Sequence, residues 1–166
     1  MRVWFQRLAL AGLFTLSTPG WADQPVAVEI KRLSMETALK IASAAIGECR
    51  KQGIQIGVVV MDRGGRTQVA LRDTVAADIT LRIAEEKAYA ALSFNVATSE
   101  LGARADSPLG KLDGLIMLPG GLPVQAGGQI YGAVGVSGAP SGKVDEDCAK
   151  ACLLYTSDAA DDSALV

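Results

Sequence analysis

The sequence predicts an α+β domain in which helices cover a sheet of mostly antiparallel strands. Two observations carry this. Helical and β-branched segments alternate as helix, hairpin, helix, short helical loop, strand, hairpin, helix, and the glycine turns inside the hairpins are too short for parallel crossovers. In addition, Val58-Val59-Val60-Met61 forms a near-continuous apolar run, the mark of a central strand covered on both faces.

The elements follow in order. Ser34 is a good N-cap, Ala38, Ile41, Ala42, Ala45 and Ile46 recur at helical spacing, and Gly53 supplies the stop. Ile54 to Asp62 is a strand that Arg63-Gly64-Gly65-Arg66 turns into a second, Thr67 to Arg72. Ala76 to Phe94 is a long helix, interrupted at Asn95, after which Thr98 or Ser99 caps a short helix before the loop around Asp106-Ser107-Pro108 and Gly110. Leu115 to Leu118 reads as a further sheet strand running into Pro119-Gly120-Gly121-Leu122-Pro123. Val124 to Ala126 and Ile130 to Val136, joined at Gly127-Gly128, make a closing hairpin, and a last helix starts near Val144.

Both ends fall outside this pattern. Met1 to Arg7 is basic, Leu8 to Leu16 is an apolar run too short to span a bilayer, and Gly20-Trp21-Ala22 offers small residues for cleavage. Residues 1–22 therefore read as a secretory signal peptide, which predicts a periplasmic or secreted protein with no membrane span after cleavage. At the other end, Cys152 to Asp162 resembles the translation of a common sequencing adapter, so residues 152–166 read as a non-native tail and the domain as residues 23–151.

Composition removes several kinds of function. The 166 residues hold no His, which excludes imidazole nucleophile pairs, His metal ligands and His-ligated haem. Sixteen basic residues stand against eighteen acidic ones with no basic stripe, so nucleic acid is not an expected partner.

Four segments together resemble the GlcG/HbpS-like haem-binding family, also called the haem-degrading domain, which includes the C-terminal domain of PduO. They are Val58 to Gly65; Leu71-Arg72-Asp73 with Ala84 to Tyr89; Leu118 to Pro123; and Gly132 to Ala139 leading into Asp145 to Ala149. The resemblance implies a profilin-like three-layer α/β/α fold around a five-stranded antiparallel sheet, homo-oligomerisation, and haem or a related tetrapyrrole as cofactor. It implies first a binding protein. The alternatives are a haem-degrading enzyme and a non-catalytic oligomeric accessory for a small carboxylate.

With the family pattern in hand, Pro119, Gly120, Gly121 and Pro123 form the expected ligand loop, two glycines between prolines leaving N–H groups open to approach. A plain bend between strands explains the same letters. Arg72 and Lys87 are the cations expected to meet haem propionates or a small organic acid, with Asp73 orienting Arg72, although Lys87 also suits a surface ladder with Glu85 and Glu86. Iron would be left with Tyr89, Tyr131, Met61, Met117, a Cys, a Thr hydroxyl or water, the two methionines reading mainly as core. No catalytic acid–base pair emerges, since Asp62 and Asp73 fall at different strand ends. Glu85-Glu86 and Asp145-Glu146-Asp147 offer oxygen to a hard cation, but read better as a solvated face and a helix-start charge complement. In an exported protein Cys49 and Cys148 are expected to pair, the alternative being two separate buried thiols.

Overall fold

The structure, a computed structural model, describes residues 26–160, with side chains described up to Leu153. The expected signal peptide lies outside the described residues. Helix α1 (Met35–Lys51) starts at Ser34, whose hydroxyl accepts the Thr37 N–H. It ends in a Schellman closure: Gly53, at φ 71°, donates to Arg50 O, and Ile54 donates to Cys49 O. Strands β1 (Gly57–Asp62) and β2 (Thr67–Arg72) form the first hairpin, and helix α2 (Ile79–Phe94) follows. Asn95 closes α2 in the left-handed region, the role glycine usually fills. A 3-10 turn over Thr98–Leu101, a single helical turn α3 (Gly102–Ala105) and a second 3-10 turn over Pro108–Lys111 lead to the second hairpin, β3 (Gly121–Ala126) and β4 (Gln129–Ser137). Gly127 and Gly128 both take positive φ, as a two-residue type I′ turn requires. Helix α4 (Gly142–Ala160) completes the chain's described part.

Among the described residues the sheet has four strands, in the order β2-β1-β4-β3, all antiparallel. The family resemblance implied five. The strand expected at Leu115 to Leu118 does not form: Ile116 N–H bonds Glu86 O on α2, Met117 packs with Ala90 and Leu101, and the sheet resumes only at Gly121. An apolar run can satisfy its burial against a helix as well as in a sheet, and periodicity over four residues does not separate the two.

Three layers result. On one face of the sheet Val58, Val60, Val134, Val136, Leu122 and Val124 pack against Ile41, Ala42, Ala45 and Ile46 of α1 and Ala149 of α4. A disulfide between Cys49 and Cys148, with Cα atoms 5.6 Å apart, joins those two helices. Cys152, the first residue of the expected non-native tail, packs one turn beyond Cys148, and burial pushes its thiol up to about 12. On the other face α2 lies almost on the sheet backbone. A Cβ at Gly57, Gly135 or Gly121 would run into Thr80, Ala84 O or Lys87 O respectively, so glycines on three adjacent strands make the groove that α2 occupies. Ala84, Ala88 and Ala91 supply the small residues of the helix side. β1 is buried along its whole length, as its apolar run predicted.

Candidate functional site

The groove for α2 is centred on β1, β4 and β3, so the outer part of β2 is left uncovered. There a cleft of about 340 Å³ opens between β2 and α2, lined by Val59, Thr67, Ala70, Asp78, Leu81, Arg82 and Glu85. It lies at the small end of the roughly 300–1,000 Å³ usual for ligand sites. Val59, Ala70 and Leu81 make an apolar wall. Thr67 donates its hydroxyl hydrogen to Glu85 Oε1 (2.7 Å), and Arg82 holds Glu86 through Nε (2.9 Å) on the outer face of α2. Arg72 stands at the end of this cleft, its Nη1 donating to Ala76 O and its Nε 4.0 Å from the lining carboxylate Asp78.

Of the residues singled out in the sequence, Glu85 lines the cleft and Arg72 stands at its end beside Asp78. Asp73 does not orient Arg72. The Asp73 carboxylate takes a bidentate pair of hydrogen bonds from Arg50 Nε (2.7 Å) and Nη2 (2.6 Å), and a third from Thr74 N–H, because the close of β2 brings it beside the last turn of α1. Those donors, Arg50 foremost, hold its carboxyl down at about 2.

Lys87 is neither a surface rung nor at the cleft. It is 3% exposed, and its Nζ donates to Asp145 Oδ2 (2.8 Å) and Val136 O (3.1 Å), tying α2 to α4 through the end of β4. Asp145 Oδ1 accepts the Ala139 N–H, and burial pushes its carboxyl up against the opposing pull of Lys87. The segment Pro119 to Pro123 closes over this pair. A Cβ on Gly120, at φ 127°, would meet Val136 O, Lys87 Nζ and Asp145 Cβ, and the Gly121 N–H is taken by Thr98 Oγ1 (2.9 Å). Gly121, Leu122 and Pro123 are residues of β3. The two glycines thus make room for the protein's own backbone and ion pair, and the N–H of Gly121 is not open to a ligand.

The remaining candidates separate by burial. Met61 and Met117 are core, Tyr131 packs half-buried against the α1 side, and Tyr89 is exposed beside Gly65. The acidic residues are ion-paired or hydrogen-bonded individually: Glu146 accepts from Lys150 and Ser99, Asp147 from Lys143, Glu86 from Arg82. Asp62 ties the first hairpin turn by accepting from Gly64 and Arg66 N–H groups, at the opposite end of β2 from Asp73.

Thr67, Ala70, Leu81 and Arg82 went unseen in the sequence because nothing local marks a cleft at a sheet edge. The signal available was the set of small residues at Gly57, Gly121 and Gly135 with Ala84, Ala88 and Ala91, which seats α2 away from β2.

A three-layer α/β/α domain with an antiparallel four-stranded sheet and an edge cleft is the class that the architecture defines. Residues 33–154 match the model of the family described as haem degrading protein HbpS-like, and the chain belongs to that family. It is 32% identical over 127 residues to a 15.0 kDa protein of the dhaT-dhaS intergenic region of Citrobacter freundii, covering 72% of this chain and 87% of that one. It superposes on a double mutant of HbpS from Streptomyces reticuli with a TM-score of 0.75 at 37% identity, covering 84% of this chain and 97% of HbpS. A complex of PduOC with heme shares the fold, with a TM-score of 0.68 at 24% identity over 74% of this chain and 94% of that one.

Proposed function

We propose that this chain is an exported haem- or tetrapyrrole-binding protein, working as a homo-oligomer, whose ligand lies in the cleft between β2 and α2. The observation that carries this reading is the cleft itself. It combines an apolar wall of Val59, Ala70 and Leu81 with the guanidinium groups of Arg82 and Arg72 at its margin. A tetrapyrrole needs a flat apolar surface, cations for its carboxylates and a donor for its metal, and the cleft supplies each, with oxygen donors alone at Thr67, Glu85 and Asp78. The fit is that of a shallow site covering one face or edge of the macrocycle. Bound iron would supply the redox chemistry, and the chain's own part is to hold and orient the ring. The family's description, and the heme held by PduOC, support the same ligand class. Residues 1–22 acting as a cleaved leader, and the Cys49–Cys148 bridge, fit an oxidising compartment outside the cytosol.

The test is a haemin titration followed by the Soret band. Saturation with a defined stoichiometry is expected. Arg82→Ala and Arg72→Ala should each weaken binding about tenfold, roughly one charge-assisted hydrogen bond. Lys87→Met should leave the affinity within about twofold, since that side chain does not face the cleft. Non-saturating absorbance would sink the ligand assignment, and saturation insensitive to both arginines would move the site elsewhere.

A further inference from the structure

Residues 26–32 form a segment with the pattern of a β-strand and no strand beside it. Val26, Val28 and Ile30 alternate with Ala27, Glu29 and Lys31, and all seven residues are exposed, Val26 fully and Val28 to 75%. No backbone hydrogen bond joins this segment to any other described residue. Three apolar side chains of this kind in water call for a partner surface.

The same chain carries an edge with the converse defect. β2 ends the sheet. Asp73 N–H donates to Ile56 O, and because bonded pairs alternate along an antiparallel ladder, Leu71 and Val69 turn their backbone groups toward β1. Ala70 and Arg72 therefore point theirs outward, with no neighbouring strand to meet them. β3, the other edge, contains Pro123 and lacks one donor for such pairing.

The segment's near end is fixed at this side of the molecule. Leu33 O accepts from Gln68 Nε2 (2.9 Å), and Arg32 reaches Asp62 (3.4 Å) beside the hairpin turn, so the strand-like residues project from the turn end of β2 without lying along it. Gln68, whose amide fixes Leu33 O, sits at the irregular step of the β1–β2 ladder.

We infer that residues 26–32 add as a strand to the β2 edge of a second copy of this chain, each copy supplying a strand and receiving one. A reciprocal exchange satisfies both defects at once with the same two surfaces, as a twofold interface requires. The segment of seven residues matches the six of β2 in length, and its apolar side chains would extend the Val59–Ala70 surface or the Val69–Leu71 surface on either face of the sheet.

This deepens the proposal of a homo-oligomer; the edge that receives the strand also borders the ligand cleft, and the test is made without ligand so that the two readings fail separately. The strand exchange is tested on the purified chain by light scattering over a concentration series together with amide hydrogen exchange. Association is expected, with exchange at Ala70 and Arg72 at least tenfold slower in the associated form. Val28→Pro, which removes a donor in an exposed segment that contributes nothing to the core, should raise the dissociation constant at least tenfold and return Ala70 and Arg72 to fast exchange. Association that survives Val28→Pro unchanged would overturn the strand exchange while leaving the oligomer standing. A monomer at all concentrations would overturn both. Slow exchange at Ala70 and Arg72 without concentration dependence would show the segment on its own edge and equally reject the exchange between copies.

Discussion

The two faces of the sheet are held by different physics. Toward α1 and α4 the contact is made by side-chain volume, with Val58, Val60, Val134 and Val136 meeting Ile41 and Ile46, and a disulfide crosslinks the two helices above them. Toward α2 the strands present glycine and the helix presents alanine, so backbone meets backbone, and the buried polar tie is Lys87, which donates to Val136 O of β4 and to Asp145 of α4. The first face is secured by bulk and a covalent link. The second depends on close approach, which leaves little room for change but opens the β2 edge where the helix is drawn aside.

Breaking the covalent link should have the largest effect. The bridge spans 99 residues of sequence. Closing a loop of that length in the unfolded chain is worth about 4–5 kcal/mol in the chain-entropy account, so Cys49→Ser with Cys148→Ser should lose that much in denaturant unfolding. The wild type measured under reducing conditions should fall to the level of the double variant. If reduction leaves the unfolding midpoint unchanged, the α1–α4 face is carried by packing alone and the two faces differ less in what holds them.

The other face is tested at its ion pair. Lys87→Met leaves the Asp145 carboxylate buried with only the Ala139 N–H, a loss of about 3–5 kcal/mol at neutral pH. Burial already pushes Asp145 up, and removal of its cation pushes it further. A carboxyl with a raised folded pKa keeps its stabilisation below the unfolded value and loses it as pH rises, so the deficit of Lys87→Met should shrink in acid. The double variant Lys87→Met with Asp145→Leu should recover most of the deficit. A single variant with a pH-independent deficit would mean that the carboxylate is hydrated in its absence.

The contrast also explains what could be read from the sequence. Side-chain bulk leaves a periodic trace, and so α1, the first hairpin, the buried β1 and the Gly127-Gly128 turn lie where the pattern of apolar and glycine residues puts them. Backbone contact leaves almost none. Lys87 looks like a helix-surface lysine because its partner Asp145 is 58 residues away, and Gly120-Gly121 looks like a ligand loop because an internal close approach needs the same residue as an external one. Leu115 to Leu118 reads as a strand for a related reason: the segment buries Met117 against a helix and carries no mark to say so. The site was legible only at Arg72 and Glu85, since the cleft arises from where α2 rests and not from any motif along β2.

A second ion pair should contribute less than the first. Arg50 and Asp73 join α1 to the end of β2 with the arginine largely in solvent, so this pair lies on the bulk-packed face and is secondary to it. Its signature is in acid. Arg50 and the Thr74 N–H lower Asp73 from 3.8 to about 2, and a carboxyl lowered in the folded state stabilises fully above the unfolded value and loses that contribution as pH falls through the folded one. Wild-type stability should therefore decline between about pH 4 and 2, and Asp73→Asn should flatten that decline while lowering the neutral-pH melting temperature modestly. Melting curves followed by circular dichroism across that interval check it. An acid limb identical in the two proteins would assign the loss to another carboxylate, and Asp145 is not that group, because burial moves it in the opposite direction. The sign of the acid response thus separates the two faces: the pair on the solvent-open margin of α1 weakens in acid, whereas the variant stripped of Lys87 under α2 recovers there.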